Sequence, residues 1–247
     1  MEWQQRDGVR WLRARLPGAT AAFSARLGGI GTGPFESLNL GLLTGDEPAT
    51  VRTNRARLAT ALDRDAAGML IGRQMHEATV LARDRAPRPN PYTEEAAPAR
   101  ADGQATAKAA LTPLVQVADC LPVALAGDGA VAMLHCGWRG LAAGIIARGV
   151  EAVGATAAAI GPGIGACCYE VGEQILAEFE PVGEGVATGR MLDLAAVATR
   201  LIRRAGVAEI ETAGICTSCE PELFFSHRRD GPRTGRQGGL AWIASDG

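Results

Sequence analysis

The sequence predicts an α/β or α+β fold, formed by one domain over residues 1–247. Short apolar runs bounded by Asp or Gly are typical of buried strands, and they alternate with longer segments of helical apolar spacing. We find no internal repeat of roughly 20 to 50 residues and no linker that would divide the chain. With 247 residues, 47% of them hydrophobic and 21% charged, the chain is long enough to bury a sizeable core.

The N-terminal part is predicted to contain three strands, one helix and two long loops. Asp46, whose carboxylate can cap free N–H groups, and Pro48 in the first turn indicate where the helix begins. The strands are predicted over residues 9–16, 21–26 and 69–71. Glycines predict a loop over residues 28–41, and four prolines predict a mobile loop without regular structure over residues 85–103.

The rest of the chain is predicted to alternate between strands and helices. Apolar runs too short for helices predict strands over residues 114–118, 121–126, 130–134 and 157–160. Helices are predicted over residues 141–153, 170–179 and 192–205. Further strands are predicted over residues 209–215, 223–226 and 240–244.

Charge and composition exclude several classes of function. The chain has 25 Lys+Arg against 27 Asp+Glu and a net charge of −2, which argues against nucleic acid as a partner. No run of about eighteen apolar residues is present, so we expect no membrane partner. The first residues carry charges where a signal peptide needs an apolar stretch, and we expect a reduced, cytoplasmic protein without disulfides.

Three side chains that can ligate a metal stand where predicted strands end: His76, Cys120 and His135. Two imidazoles and a thiolate suit Zn²⁺, and a set of three protein ligands leaves the fourth position open, as in catalytic zinc sites. The alternative is that each is an ordinary core residue, since free Cys is often buried. The spacing of the three is not a motif by itself.

A second group of cysteines has less defined chemistry. Cys216 and Cys219 form a CxxC pair, but a structural zinc site needs a second pair, and the adjacent Cys167 and Cys168 have no spacer between them. Buried thiols or a redox-sensitive pair are the competing interpretations. The sequence does not assign these four residues a role.

Several motifs follow one another along the chain in a fixed order. They are QMH at 74–76, ADCLPV at 118–123, HCGWRG at 135–140, GPGIGACCYEVG at 161–172, LDL at 192–194, FFSHRRD at 224–230 and TGR at 234–236. Together with FSARLGGIGTGPFESLNLG at 23–41 and GDEPATVRTNRARL at 45–58, they resemble the signature blocks of the YfiH-type family. This family is also named after polyphenol oxidase or "laccase domain" proteins, and the resemblance covers nearly the whole chain.

The resemblance implies a mixed-sheet α/β sandwich, in a fold likened to the catalytic domain of cytotoxic necrotizing factor. It also implies a zinc site made of the histidine of QMH, the cysteine of ADC and the histidine of HCGWRG, which are His76, Cys120 and His135. The Arg of the family's NR block, here Arg55, is implied as a ligand of substrate or phosphate, and Arg139 is a second candidate to hold phosphate.

The activity implied by the resemblance is that of a purine nucleoside phosphorylase that also deaminates adenosine. Adenosine, inosine, guanosine or methylthioadenosine would react with phosphate to give free base and ribose 1-phosphate, in a monomer or a homodimer. The chain departs from the usual pattern at Glu77, at Cys136 and at His227, where a small residue, Ala and Tyr are common. Cys136 could add a thiolate near the metal, and His227 could add a base.

Three other functions remain open on the sequence. The older family name implies a copper-dependent phenol oxidase, and a His₂Cys site can take copper, but three histidines cannot assemble multi-copper machinery. Cys120 with His135 as its base would make a cysteine hydrolase without metal. A metal-sensing or partner-binding module without turnover is the remaining possibility.

Overall fold

The computed structural model describes residues 1–244, and in that range it has fourteen strands and six α-helices. The strands are β1 Glu2–Arg6, β2 Val9–Leu16, β3 Ala19–Ser24, β4 Met69–Ile71, β5 Val80–Ala82, β6 Gly103–Thr106, β7 Thr112–Val117, β8 Leu121–Gly127, β9 Ala130–Cys136, β10 Ala157–Ile160, β11 Ala187–Thr188, β12 Met191–Leu192, β13 Glu209–Thr212 and β14 Gln237–Ile243. The α-helices are α1 Pro48–Ala61, α2 Trp138–Ala142, α3 Ile145–Val153, α4 Glu173–Phe179, α5 Leu194–Arg204 and α6 His227–Asp230. Short 3₁₀ turns lie at Gly33–Phe35, Ala66–Gly68 and Glu180–Val182.

Two mixed six-stranded sheets form the centre of the structure. The first has the strand order β1-β2-β3-β14-β7-β4, and the second has the order β13-β10-β8-β9-β6-β5. The pairs β4–β7, β5–β6 and β10–β13 are parallel, and the other neighbours are antiparallel. This mixed α/β sandwich confirms the predicted fold class.

The sheets are buried on both faces because their strands are apolar at successive positions. In β8, Val123 and Leu125 pack in one apolar cluster with α3 and α5, whereas Ala124 and Ala126 pack in a second cluster with residues of the first sheet. A third cluster joins the other face of the first sheet to α1. The result is four layers, with helices outside and the two sheets inside, and continuous apolar runs are what such doubly covered strands require.

The strand registers bring several chain segments to one edge of the second sheet. In the β8–β9 hairpin, Pro122 lies opposite His135, so the start of β8 lies beside the end of β9. Ile160 at the end of β10 pairs with Val123 on one side and with Thr212 at the end of β13 on the other. The loops that follow β9, β10 and β13 therefore meet the residues that precede β8.

Most predicted elements are present, and the differences have local causes. Helix α1 begins at Pro48 as predicted, but its N-cap is Glu47. The Asp46 carboxylate instead accepts the Glu47 N–H and an amide N–H of Asn39. The helix predicted over residues 141–153 is two helices, α2 and α3, because Gly144 between them has a φ of +85°.

Two further predictions are corrected by packing. Residues 223–226 do not form a strand: Phe224 and Phe225 are fully buried, but the backbone turns there and leads into α6. The segment after Arg85 has no helix or strand before β6, as predicted. It is held in place, however, because Tyr92 is buried and its hydroxyl donates to the carbonyl of Arg55 at 2.8 Å.

The prediction of one domain over residues 1–247 stays a prediction, and residues 245–247 lie outside the described part of the chain. Among residues 1–244, no helix combines the length and the apolar composition that a membrane crossing needs.

Candidate active site

Three donor atoms come together at the edge of the second sheet. The side chains of His76, Cys120 and His135 each offer one ligand atom, and these atoms lie within 4.8 Å of one another. Cys120 directly precedes β8, His135 is near the end of β9, and His76 lies in the segment that crosses from β4 in the first sheet to β5 in the second. The two imidazole centroids are 4.8 Å apart, with their rings at 74°.

Asp102 holds two of these residues in position, and sequence reasoning missed it. Its buried carboxylate accepts the main-chain N–H groups of Met75, His76 and Glu77 at 2.8–3.0 Å and contacts Nδ1 of His135 at 2.8 Å. Burial raises the pKa of Asp102, but the hydrogen bonds from His135, Met75 and Glu77 and the charge of His135 outweigh burial and hold this pKa below its usual range. An acid that fixes both the loop of one histidine and the ring of another is typical of the supporting groups of metal sites.

Asp119, the residue before Cys120, is held in place by hydrogen bonds to other segments of the chain. It has a φ of +92°, a left-handed conformation that is unusual for a residue other than glycine. Its carboxylate accepts the hydroxyl of Thr217 and the main-chain N–H of Arg228, each at 2.7 Å. The loop after β13 and helix α6 are thereby tied to the residue that precedes the thiol.

Gly137 leaves the space that the three donors occupy. A Cβ built on it would lie 2.9 Å from Sγ of Cys120 and 3.2 Å from Cδ2 of His76. A glycine at this point, between β9 and α2, therefore lets the main chain approach the ligand atoms closely.

The site favours a thiolate at Cys120 and a charged imidazole at His135. Burial raises the pKa of Cys120, but the charge of His135 and hydrogen bonds from both histidines outweigh burial and lower it to about 6. Burial lowers the pKa of His135, but the Cys120 charge and Asp102 raise it to about 9. Near neutral pH the metal-free pair is thus an ion pair.

The donor set fits Zn²⁺. A thiolate and two imidazoles are ligands that zinc prefers, and zinc–ligand distances of about 2.0 to 2.3 Å place neighbouring donors within the separation seen here. Because Nδ1 of His135 contacts Asp102, its other ring nitrogen faces Cys120. The carboxylate–histidine contact is the arrangement found behind most histidine ligands of metals.

An aromatic ring and two guanidinium groups lie around the donors. The guanidinium carbon of Arg228 is 5.0 Å from the ring centroid of Tyr169. Burial and the Cys120 thiolate raise the pKa of Tyr169 to about 12, against the opposing charges of Arg228 and Arg139. Within residues 1–244, the exposed Arg139 guanidinium packs on the ring of Trp138 and makes no hydrogen bond.

Three other residues singled out in the sequence are not members of the donor group. Arg55 is buried, and three of its five N–H groups donate to the carbonyls of Leu40, Pro91 and Tyr92, so its role as a substrate ligand stays a prediction. Cys136 is fully buried in the apolar cluster under α3, which contradicts the expectation of an extra thiolate at the metal. His227 is exposed at the start of α6.

Comparisons with known proteins find relatives that match nearly the whole chain. The family model described as multi-copper polyphenol oxidoreductase laccase matches residues 20–244. A purine nucleoside phosphorylase of Xylella fastidiosa is 36% identical, over 92% of this chain and 93% of that protein. The purine nucleoside phosphorylase YlmD of Geobacillus stearothermophilus is 35% identical, over 97% of this chain and 96% of that protein.

Solved structures show the same fold. The crystal structure of YlmD from Geobacillus stearothermophilus matches with a TM-score of 0.88 and 34% identity, over 98% of this chain and 99% of that chain. The crystal structure of the hypothetical protein YfiH from Bacillus licheniformis also matches with a TM-score of 0.88, at 30% identity and with the same coverage.

Proposed function

The chain belongs to the family described as multi-copper polyphenol oxidoreductase laccase, the YfiH-type family, and from this premise we propose that it is a zinc-dependent purine nucleoside phosphorylase. The observation that carries the proposal is the group of His76, Cys120 and His135, whose donor atoms lie within 4.8 Å of one another. Zinc held by these three residues would supply Lewis acidity at a position open to water or substrate.

Arg139 and Arg228 are the groups that we propose for phosphate. The Arg228 guanidinium carbon lies 5.0 Å from the ring centroid of Tyr169, and the charges of Arg228, Arg139 and the Cys120 thiolate all act on this tyrosine. A guanidinium can grip a phosphate through two parallel N–H···O bonds. Arg139 has its donors free for this within the described residues, whereas Arg228 also donates to the carbonyls of Cys168 and Glu170.

Tyr169 is the group that we propose for the purine base. In phosphorolysis, a phosphate oxygen forms a bond to C1′ of the ribose while the bond from C1′ to the base breaks, and the base leaves with the electron pair. The Tyr169 hydroxyl keeps its proton at neutral pH because its pKa is about 12. It can therefore donate a hydrogen bond to the negative charge that develops on the leaving base.

Product analysis of the zinc-loaded protein with inosine or adenosine, with and without phosphate, tests the proposal. We expect free base and ribose 1-phosphate only when phosphate is present. R139A should raise the KM for phosphate, whereas R148A, which removes an exposed arginine of α3, should not. Absence of free base under both conditions would refute the phosphorylase.

Adenosine, inosine, guanosine and methylthioadenosine are the proposed substrates, and adenosine deamination is proposed for the same site. In the second reaction, water adds to C6 of the purine and ammonia leaves, so inosine should form without phosphate. A Cys120→Ala protein should lose both reactions. A monomer or homodimer in the cytoplasm stays the expectation from the sequence, and light scattering decides between the two assemblies.

One observation favours a second candidate, a cysteine hydrolase without metal. Asp102 contacts Nδ1 of His135, and the other side of that ring faces the Cys120 thiolate, which is the order of groups in a Cys–His–Asp triad. Iodoacetamide distinguishes the two functions. A zinc-bound thiolate is protected until the metal is chelated, whereas a free nucleophile reacts at once. The copper-dependent phenol oxidase remains the alternative if the protein binds copper and oxidises phenols but cleaves no nucleoside.

A further inference from the structure

A second group of four thiols lies outside the candidate active site. The Sγ atoms of Cys167, Cys168, Cys216 and Cys219 are all within 4.8 Å of one another. Cys219 is 3.5 Å from both Cys167 and Cys168. All four are free cysteines, and the group is half exposed at the surface.

The main chain is arranged so that two loops present these thiols to each other. The loops follow the parallel neighbours β10 and β13, and they continue side by side through a bridge between Gly163 and Cys216. The N–H of Thr217 donates to the carbonyl of Gly163 at 3.0 Å. A Cβ on Gly165 would lie 3.2 Å from Cβ of Cys216 and 3.3 Å from Sγ of Cys167, so this glycine permits the close approach.

We propose that Cys167, Cys168, Cys216 and Cys219 form a structural Zn²⁺ site of the Cys₄ type. Four thiolates at zinc–sulfur distances of about 2.3 Å form a tetrahedron with edges of about 3.8 Å. Two sulfur separations of 3.5 Å, with all four sulfurs within 4.8 Å of one another, fit such a tetrahedron after a small adjustment of the side chains. A disulfide needs a separation of about 2.05 Å, which neither 3.5 Å contact approaches. On binding, the thiols release their protons and the metal takes four negative ligands in a closed shell.

Hydrogen bonds support Cys216 as a metal ligand. The main-chain N–H of Gly165 donates to its Sγ at 3.2 Å, and such a contact stabilises a thiolate without competing for the metal. The CxxC pair supplies two ligands from one turn, in which the N–H of Cys219 donates to the carbonyl of Cys216. The adjacent Cys167 and Cys168 supply the other two, although no spacer separates them.

The position of the site explains what it would stabilise. Thr217, between the two cysteines of the CxxC pair, donates to the carboxylate of Asp119, which precedes the active-site thiol. Tyr169 directly follows Cys168. Zinc in the Cys₄ group would therefore join two loops that form one wall of the candidate active site, while the metal itself stays outside that site.

Zinc content per chain tests the proposal. The protein, purified under reducing conditions and loaded with zinc, should lose one equivalent of zinc on C219S. S218A changes the neighbouring residue of the same turn without removing a thiol, so it should lose none. The difference in zinc content between C219S and S218A does not depend on whether His76, Cys120 and His135 also bind zinc. Failure of the proposed function can therefore be distinguished from failure of this site. An unchanged zinc content in C219S would overturn the proposal.

A second measurement covers the case in which C219S does not fold. In the triple variant H76A/C120A/H135A the other proposed metal site has lost all three ligands, and X-ray absorption at the zinc edge should then count four sulfur neighbours at about 2.3 Å. Fewer than four sulfur neighbours, or disulfides among the four residues, would refute the Cys₄ site.

Discussion

Replacement of Gly137 by alanine should disturb the candidate active site while the rest of the fold stays intact. The new Cβ would lie 2.9 Å from Sγ of Cys120, against at least 3.4 Å for an ordinary contact, so the sulfur or the main chain must move by about 0.5 Å. Cδ2 of His76, at 3.2 Å, must move by about 0.2 Å. Catalytic groups need to be held within about 0.5 Å, and we expect zinc affinity and kcat/KM to fall roughly tenfold to a hundredfold.

Gly172 provides a matched control for this change. Both glycines are N-caps, Gly137 with φ −80° and ψ 167° before α2 and Gly172 with φ −76° and ψ 160° before α4. Alanine is allowed at these angles and weakens either cap by a similar amount. A Cβ on Gly172 meets no atom within 4 Å. Zinc competition with a chelator and phosphorolysis rates should separate G137A from G172A, and equal values for both would refute the steric argument.

Three further perturbations address the surroundings of the donors. Asp102→Asn should weaken zinc binding about tenfold to a hundredfold, because it removes the negative charge that contacts Nδ1 of His135. The control D128N, in the exposed β8–β9 turn, should leave zinc binding unchanged, and competition with a chelator measures the zinc affinity of both variants. In metal-free protein, the alkylation rate of Cys120 should rise as the pH passes about 6, because the thiolate forms there. Peptide mass spectrometry measures this rate, and a midpoint near the ordinary thiol pKa of about 8.5 would contradict the prediction. Arg55→Lys should lower the thermal unfolding midpoint, because it leaves buried carbonyl groups without hydrogen-bond donors. The KM for phosphate should stay unchanged, and a raised KM in the folded variant would instead support the predicted role of Arg55 as a substrate ligand.

The sequence predicted the donor group well because its members stand at recognisable places. Cys120 and His135 flank short apolar runs that are strands in the structure, and the registers of β8 and β9 then bring them together. Residue type and position at a predicted strand end singled out His76, Cys120 and His135, although ordinary core residues remained the alternative interpretation. The family resemblance implies the same three residues, His76 included.

The supporting groups could not be predicted, because their partners are distant in sequence. Asp102 is an isolated acid before a four-residue strand, and only the pairing of β6 with β9 brings it to His135. Arg55 is one of many arginines, and no local pattern indicates that its guanidinium is buried. The apolar residues at 223–225 predicted a strand, but the side chains of Phe224 and Phe225 are buried although their backbone does not form a strand.

The β8–β9 hairpin also determines the order in which the donor group can assemble during folding. Asp128 and Gly129 alone connect the two strands, so Cys120 and His135 come together as soon as the hairpin closes, an event that takes about 1 to 10 μs in isolated hairpins. His76 joins them only when the segment between the two sheets docks on Asp102, a contact between distant parts of the chain that forms more slowly. The effect of a metal ion on the refolding rate would therefore report whether the His76 contact forms before or after the rate-limiting step of folding.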